Sequence, residues 1–362
     1  MGDSILYRSV HLCTTTRRGS AIAQTRMCPS LLLDQLVEPY GLRADDLVFL
    51  RKSQNSVYRA RRPSGGGVCI VRISEGRHRT LTEVETELKW VSRLAARGVS
   101  VCAPLPTLAG EWCVSLRQGG AEYVVACFEQ APGQQISPKS DDLPRYAAEY
   151  GQLGRLLGHL HRESIPYKPH DSSGHRSSWH ESRLLCQDVS AMEERLGEDF
   201  CHSVATLVAD LRQSLDVTMG YGLVHGDVSF NNCHFDGVHP WLFDFDNCEY
   251  GSFLQDIATV LYDSIYCRAL NRFADAELHQ RMLPPLASFL EGYFGTGIGT
   301  VLDESLIGKF FLLREAIIYV HYHRTLDVGS LPQSFRDGLE VMRRNVESQS
   351  HQVDVCQLLS QC

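Results

Sequence analysis

Between Leu223 and Asp246 the chain sets three oxygen-bearing side chains at short, ordered intervals around a tight turn, and few folds accommodate that arrangement. The stretch reads Val224-His225-Gly226-Asp227-Val228-Ser229-Phe230-Asn231-Asn232, followed after a turn by Trp241-Leu242-Phe243-Asp244-Phe245-Asp246. A short strand enters a loop, Asp236-Gly237 turns the chain, and a second apolar strand ends at Asp244. Centring the hairpin on Val238 pairs Asp236 with Pro240 and Asn232 with Asp244. Two oxygen ligands then lie side by side at the hairpin mouth, with Asp227 five residues upstream of Asn232. A hard cation such as Mg2+ takes few carboxylate or amide oxygens and keeps positions open for phosphate and water. Any one of these residues alone would read as a turn former satisfying nearby backbone groups. Together they point to a metal and phosphate site.

The flanking segments predict two lobes. Residues 1–27 are polar, rich in Ser and Thr, and read as a leader or disordered tail, with Met27 a candidate functional start. A helix is expected from Ser30 (Leu31, Leu32, Leu36), closing before Gly41. Strand-like runs follow at Leu47–Leu50, Ser56–Ala60 and Val68–Ile73, separated by turn material that includes Ser64-Gly65-Gly66-Gly67. Thr80–Arg97 reads as a helix, with Leu81, Val84, Leu88, Val91 and Ala95 at helical spacing and Gly98 as its stop. After a proline-rich link at Pro104 and Pro106 come strands at Glu111–Leu116 and Tyr123–Phe128, and Gln130-Ala131-Pro132-Gly133 breaks the chain. Residues 28–130 thus form a small, mostly antiparallel lobe. Residues 131–362 form a larger, mainly helical one, with helices at Tyr146–Arg162, Phe253–Tyr266 and Phe310–Tyr322.

Charge and cysteines narrow the setting. The net charge is −8, but residues 28–130 carry 13 basic and 11 acidic side chains while residues 131–362 carry 18 and 31. That surface excludes nucleic acid as a partner and favours a cationic ligand in the second lobe. No apolar run approaches the roughly 20 residues of a membrane span. The 13 cysteines form no C-x-x-C pair and no metal spacing, which reads as reduced thiols in a cytoplasmic protein.

The H-G-D-x-x-x-x-N loop followed by D-F-D resembles the catalytic and metal loops of the aminoglycoside phosphotransferase family. It is also similar to protein kinases, whose loops read H-R-D-x-x-x-x-N and D-F-G. The resemblance implies an α+β, protein-kinase-like two-lobed fold and an ATP- and Mg2+-dependent phosphotransferase. Asp227 would orient the acceptor hydroxyl and accept its proton. Asn232 and Asp244 would hold Mg2+ on the ATP phosphates, and Asp246 is a further candidate contact to the metal. His225 would brace the catalytic loop rather than do chemistry, since Asp227 already fills the base role. Gly251-Ser252-Phe253-Leu254-Gln255-Asp256 resembles the family's G-x-x-x-x-D segment, which makes Asp256 the buried anchor of that loop.

The same resemblance implies a nucleotide site in the first lobe. Ser53-Gln54-Asn55-Ser56 stands where family members place the turn covering the phosphates, and Ser53, Asn55 and Ser56 are its candidate contacts. Arg72 occupies the place of the kinase lysine. Its expected partner is Glu87, which falls within the helical arc of Val84, Trp90, Val91 and Leu94; a carboxylate facing inward requires a cation. Phe128 and Gln130 mark the hinge that would bind the adenine edge. Glu87-Leu88-Lys89-Trp90 and Phe311-Leu312-Leu313-Arg314 further resemble the branch of bacterial stress-response kinases and type II homoserine kinase.

Three functions compete: a small-molecule kinase, a protein serine/threonine kinase, and a nucleotide-binding pseudokinase. The Asp227, Asn232 and Asp244 set argues against the last. Only six residues separate Asp244 from Gly251, too few for a peptide-docking platform. Asp246, Glu249 and the acidic second lobe favour a small cationic acceptor such as an amino alcohol, amino acid or aminoglycoside.

Overall fold

The computed structural model describes residues 30–62, 66–138, 140–167, 176–182, 184–215, 220–269 and 276–351. The leader expected over 1–27 and the turn residues Ser64 and Gly65 lie outside them. Helix α1 (Ser30–Tyr40) precedes a six-stranded antiparallel sheet of β1 (Val48–Lys52), β2 (Asn55–Arg61), β3 (Val68–Glu75), β4 (Pro104–Leu105), β5 (Cys113–Gln118) and β6 (Ala121–Glu129). The order is β1-β2-β3-β6-β4, with β5 also paired to β6. The sequence predicts a link, not a strand, at Pro104. It is part of a strand because proline is tolerated on a sheet edge, where its missing N–H costs no ladder bond.

Alternation along the strands gives the sheet two apolar faces. Tyr58, Cys69, Val71, Ile73, Val125 and Cys127 pack with Leu36 of α1. On the opposite face Val124 and Ala126 meet Val84 and Leu88 of α2 (Leu81–Ala96). Thr80 starts α2 with a reciprocal capping box: its Oγ1 accepts from Glu83 N at 3.3 Å, and Glu83 Oε2 accepts from Thr80 N at 2.8 Å. Trp90, Val91 and Leu94 of the same helix belong to the core of the larger lobe. Helix α2 therefore ties the lobes together, and the Trp90 ring meets Phe245 edge-on with centroids 5.4 Å apart.

The larger lobe comprises α3 (Ala147–Ser164), α4 (Glu198–Ser214), α5 (Phe253–Ala269), α6 (Ala276–Phe294), α7 (Glu304–Thr325) and α8 (Gln333–Ser348). Four short strands interrupt it: β7 (Tyr221–Val224), β8 (Cys233–Phe235), β9 (Pro240–Leu242) and β10 (Glu249–Ser252). β7 pairs antiparallel with β10, and β8 with β9. Among the described residues no helix is long and apolar enough to cross a membrane.

Candidate active site

The loop leaving β7 is held from below by one buried carboxylate. Asp256, in the first turn of α5, accepts from His225 N through Oδ2 and from Gly226 N through Oδ1, each at 2.8 Å. Burial alone would raise the pKa of Asp256, but the His161 hydrogen bond (3.1 Å) and the loop donors hold it below the usual range. Gly226 has φ +79°, and a Cβ there would lie 2.3 Å from Asn247 O, so no larger residue fits this point of the loop. His225 Nδ1 accepts from Asp227 N at 3.2 Å. Its Nε2 must then carry the proton, which it directs at Phe243 O 3.1 Å away. With both ring nitrogens engaged in backbone contacts, His225 links the loop to the Asp244 strand end.

Asp227 projects from this loop with its carboxylate gripped on both sides. Asn232 Nδ2 donates to Oδ2 at 3.0 Å and to the Asp227 carbonyl at 2.9 Å. Arg314 Nη2, from α7, donates to Oδ1 at 2.6 Å. The carboxylate is oriented yet remains partly exposed.

The hairpin register differs from the expected one by a single residue. β8 and β9 pair Cys233 with Leu242 and Phe235 with Pro240, so Asn232 lies opposite Phe243, whose N–H donates to Asn232 O at 3.0 Å. The slip arises at the turn: Asp236 Oδ1 accepts from both Val238 N (2.9 Å) and His239 N (2.8 Å), which closes it one residue tighter than a centre at Val238. Asp244 then lies one residue past the pairing. It takes up a left-handed conformation (φ 67°), a costly geometry for a residue other than glycine and one typical of functional sites. Burial and the nearby Asp246 and Asp227 raise its pKa against the opposing pull of Arg51 and Arg72. This crowding of carboxylates is an electrostatic fit for a divalent cation, and Asn232 and Asp244 are the residues suited to hold one.

Asp246 and Glu249 are placed differently from expectation. Asp246 is buried; Oδ2 meets His78 Nε2 at 2.8 Å and Oδ1 meets Arg79 Nε at 3.3 Å. Burial would raise its pKa, but Arg79, His78 and Arg72 more than offset this and hold it well below the usual carboxylate range. Its two oxygens are thus committed to His78 and Arg79 of the smaller lobe. Arg176, also buried, fastens the same turn by donating to the carbonyls of Asp246, Phe245 and Cys248. Glu249 Oε1 accepts from Gln255 Nε2 at 2.7 Å, and burial pushes its pKa up to about 7. Neither side chain is presented to an incoming acceptor as the sequence predicts. Asp263, 3.6 Å from Arg314 Nη2, is the carboxylate beside Asp227 instead.

In the smaller lobe Arg72 and Glu87 form a buried, bidentate pair at 2.7 and 2.8 Å. Removing either partner leaves an uncompensated buried charge, a loss of about 3–5 kcal/mol in comparable sites. Arg72→Met and Glu87→Gln should each raise KM for ATP, and the double variant should lose less than the two singles combined. Steady-state kinetics on all four proteins checks this, and strictly additive losses would show that the contact is not energetically coupled.

Asn55 belongs to β2 rather than to the turn, and its Oδ1 is a buried acceptor without a partner among the described residues. It shares a face with Arg72, because Asn55 pairs with Ser74 and Val57 with Arg72. Ser56 alternates to the other face, with Tyr58 and α1, and so does not reach the cleft. Ser53 is exposed at the turn. The Phe128 ring packs against the Arg72 guanidinium (5.1 Å to the centroid), and Gln130 is exposed just past β6.

A family model described as "Phosphotransferase enzyme family" matches residues 47–290, which include the Asp227 loop, the hairpin, the Arg72 strand and Glu87. The chain belongs to that family. It is 26% identical over 318 residues to amicoumacin kinase of Bacillus subtilis (strain 168), a match covering 88% of this chain and 91% of the relative. Among solved structures it is similar to an amicoumacin kinase in complex with AMP-PNP, Ca2+ and Ami, with TM-score 0.76, 23% identity, and coverage of 94% and 100% of the two chains. A microcompartment-associated aminopropanol kinase is similar at TM-score 0.64 and 19% identity, over 92% and 98%. The chain is thus a phosphotransferase enzyme with the two-lobed α+β fold of these kinases.

Two residues at the centre of this candidate site are not among those expected. Arg314 touches Asp227, yet the sequence marks Phe311-Leu312-Leu313-Arg314 only as a resemblance, because the distance of 87 residues between them hides the contact. Arg51 Nη2 donates to Asp244 Oδ2 at 2.8 Å across 193 residues, and no local pattern marks it.

Proposed function

We propose that this phosphotransferase moves the γ-phosphate of ATP, with Mg2+, to a hydroxyl of a small amine-bearing molecule. The observation that carries the reading is the Asp227 carboxylate, held between Asn232 and Arg314 and close enough to raise the pKa of Asp244 at the strained end of the hairpin. Asp227 orients the acceptor hydroxyl and takes its proton. Asn232 and Asp244 hold the cation, which supplies neutralisation of phosphate charge when bound. Arg72, fixed by Glu87, and Asn55 face the same cleft. Val48, Val57 and Ile70 share that face of the sheet and are not buried, a flat apolar cover suited to an adenine ring.

Small acceptors are supported by the amicoumacin kinase and aminopropanol kinase likenesses and by the acidic excess of residues 131–362. Asp263 is the acidic side chain next to Asp227 and the natural contact for an acceptor amine. The path from Asp244 to Gly251 passes through one short helical turn (Phe245–Asn247) directly into β10, which leaves no platform for a peptide. A cytoplasmic setting accords with the free thiols of the eight cysteines whose side chains are described. The test is a panel of amino alcohols, hydroxy amino acids and aminoglycosides, read by ATP consumption and by 31P detection of a phosphomonoester, with casein and self-labelling as protein controls. Turnover of an amine-bearing alcohol is expected. Protein labelling with the whole small-molecule panel inert would replace this reading with that of a protein kinase.

A further inference from the structure

Arg51 reaches the cleft because of an irregularity in the sheet. Phe49 pairs with Tyr58, but Arg51 pairs with Val57, so the β1–β2 register slips by one residue at Leu50. Side chains alternate between faces with a period of two, and a one-residue slip moves a side chain to the opposite face. In the unslipped register Arg51 would oppose Ser56 and point toward α1. In the observed one Arg51, Val57, Arg72 and Ala126 are successive partners across four strands and share the cleft face. Arg51 and Arg72 are then two strands apart, about 10 Å between backbones.

The two arginines differ in what they can offer. Arg72 is 4% exposed and gives both terminal nitrogens to Glu87. Its charge is already balanced by that carboxylate, so it contributes little net positive potential to a triphosphate. Arg51 has a third of its side chain exposed (34%) and pairs through Nη2 with Asp244. The turn that carries it also rests on α7, where Gln54 Nε2 lies 3.2 Å from His321 Nδ1, so Arg51 is held over the cleft from both ends.

We infer that Arg51 is a phosphate ligand of the nucleotide site, which the fold keeps on Asp244 until a divalent cation takes that carboxylate and the nucleotide phosphates take the guanidinium. The exchange rests on the proposed metal role of Asp244. A guanidinium 2.8 Å from Asp244 Oδ2 competes with any cation for the same oxygen. Once Asp244 is given to the metal, Arg51 regains a full unpaired charge beside the phosphates.

Calorimetry of Arg51→Met with AMP-PNP and Mg2+ tests the phosphate contact, with adenosine as the probe lacking phosphate. AMP-PNP affinity should fall by about 10–100-fold, the range for a hydrogen bond to a charged group. Adenosine affinity should stay within about twofold, and Arg51→Lys should recover part of the loss. Without nucleotide, Mn2+ followed by electron paramagnetic resonance should bind Arg51→Met more tightly than wild type, because a competitor for Asp244 is gone. AMP-PNP affinity that is unchanged, or that falls in parallel with adenosine, overturns the phosphate role. Unchanged Mn2+ affinity in Arg51→Met overturns the exchange. Asp244→Asn separates the two readings: if Mn2+ affinity drops there and is unchanged in Arg51→Met, the metal assignment stands and the exchange alone fails. If neither variant changes it, both fall.

Discussion

Asp227→Asn should lower kcat by about 10²–10⁴-fold, the range for losing a positioned general base, with nucleotide affinity nearly unchanged. The carboxylate accepts from donors on both sides, Asn232 Nδ2 at 3.0 Å and Arg314 Nη2 at 2.6 Å. An amide keeps one acceptor oxygen and offers an NH2 on the other side, so one contact becomes donor against donor. The loop itself does not depend on Asp227: Asp256 holds the backbone of His225 and Gly226, and His225 holds Asp227 N. Folding and AMP-PNP binding should therefore survive while proton acceptance and acceptor orientation are lost. Steady-state kinetics on the phosphorylated acceptor, with calorimetry for AMP-PNP, gives the answer. Turnover near wild type would mean that another group takes the proton.

Asp244→Ala should abolish the dependence of nucleotide binding on a divalent cation and lower kcat by about 10²–10³-fold, as expected for removing one electrostatic stabiliser of the transferring group. Asn232→Ala should act in the same direction, with an added loss from releasing Asp227, since its Nδ2 holds both the carbonyl and the carboxylate of that residue. Two effects separate in the Asp244 variant. Removing the carboxylate deprives the cation of a ligand, and it also releases Arg51 from its ion pair. Nucleotide without metal should therefore bind Asp244→Ala at least as well as wild type, while nucleotide with Mg2+ binds it less well than wild type. Isothermal titrations with AMP-PNP, with Mg2+ and with a chelator, distinguish these. An intact Mg2+ enhancement in both variants would place the metal ligands elsewhere.

Much of the small lobe is legible in the chain because its signals are local. The helix at Thr80–Arg97 is expected from spacing and a stop at Gly98, and it is present as Leu81–Ala96 with Thr80 as its cap. Glu87 can be placed inward from its helical arc alone, and in the fold it accepts from Arg72. Pro104–Leu105 is not legible as a strand, since edge position, the condition that tolerates its proline, is a property of the sheet.

The candidate site divides along the same line. The spacings from His225 to Asp227, Asn232 and Asp244, and the Gly251–Asp256 segment, are properties of the sequence by itself. They are short-range, and a strand, a turn of limited length and a helix start leave the chain few ways to arrange them. Tertiary structure decided what lies opposite each of these residues. Asp236 tightened the hairpin and moved Asn232 opposite Phe243, a one-residue choice that hydrogen bonds at the turn settle and spacing does not. Asp246 has the same local character as Asp244, yet it was drawn to His78 and Arg79 because the turn between β3 and α2 brings an imidazole and a guanidinium against its buried carboxylate. Arg314 and Arg51 came to Asp227 and Asp244 across 87 and 193 residues. Pairings at that range are set by how α7 and a slipped β1 pack over the loop, and charge partners chosen by packing leave no periodicity in the chain to read.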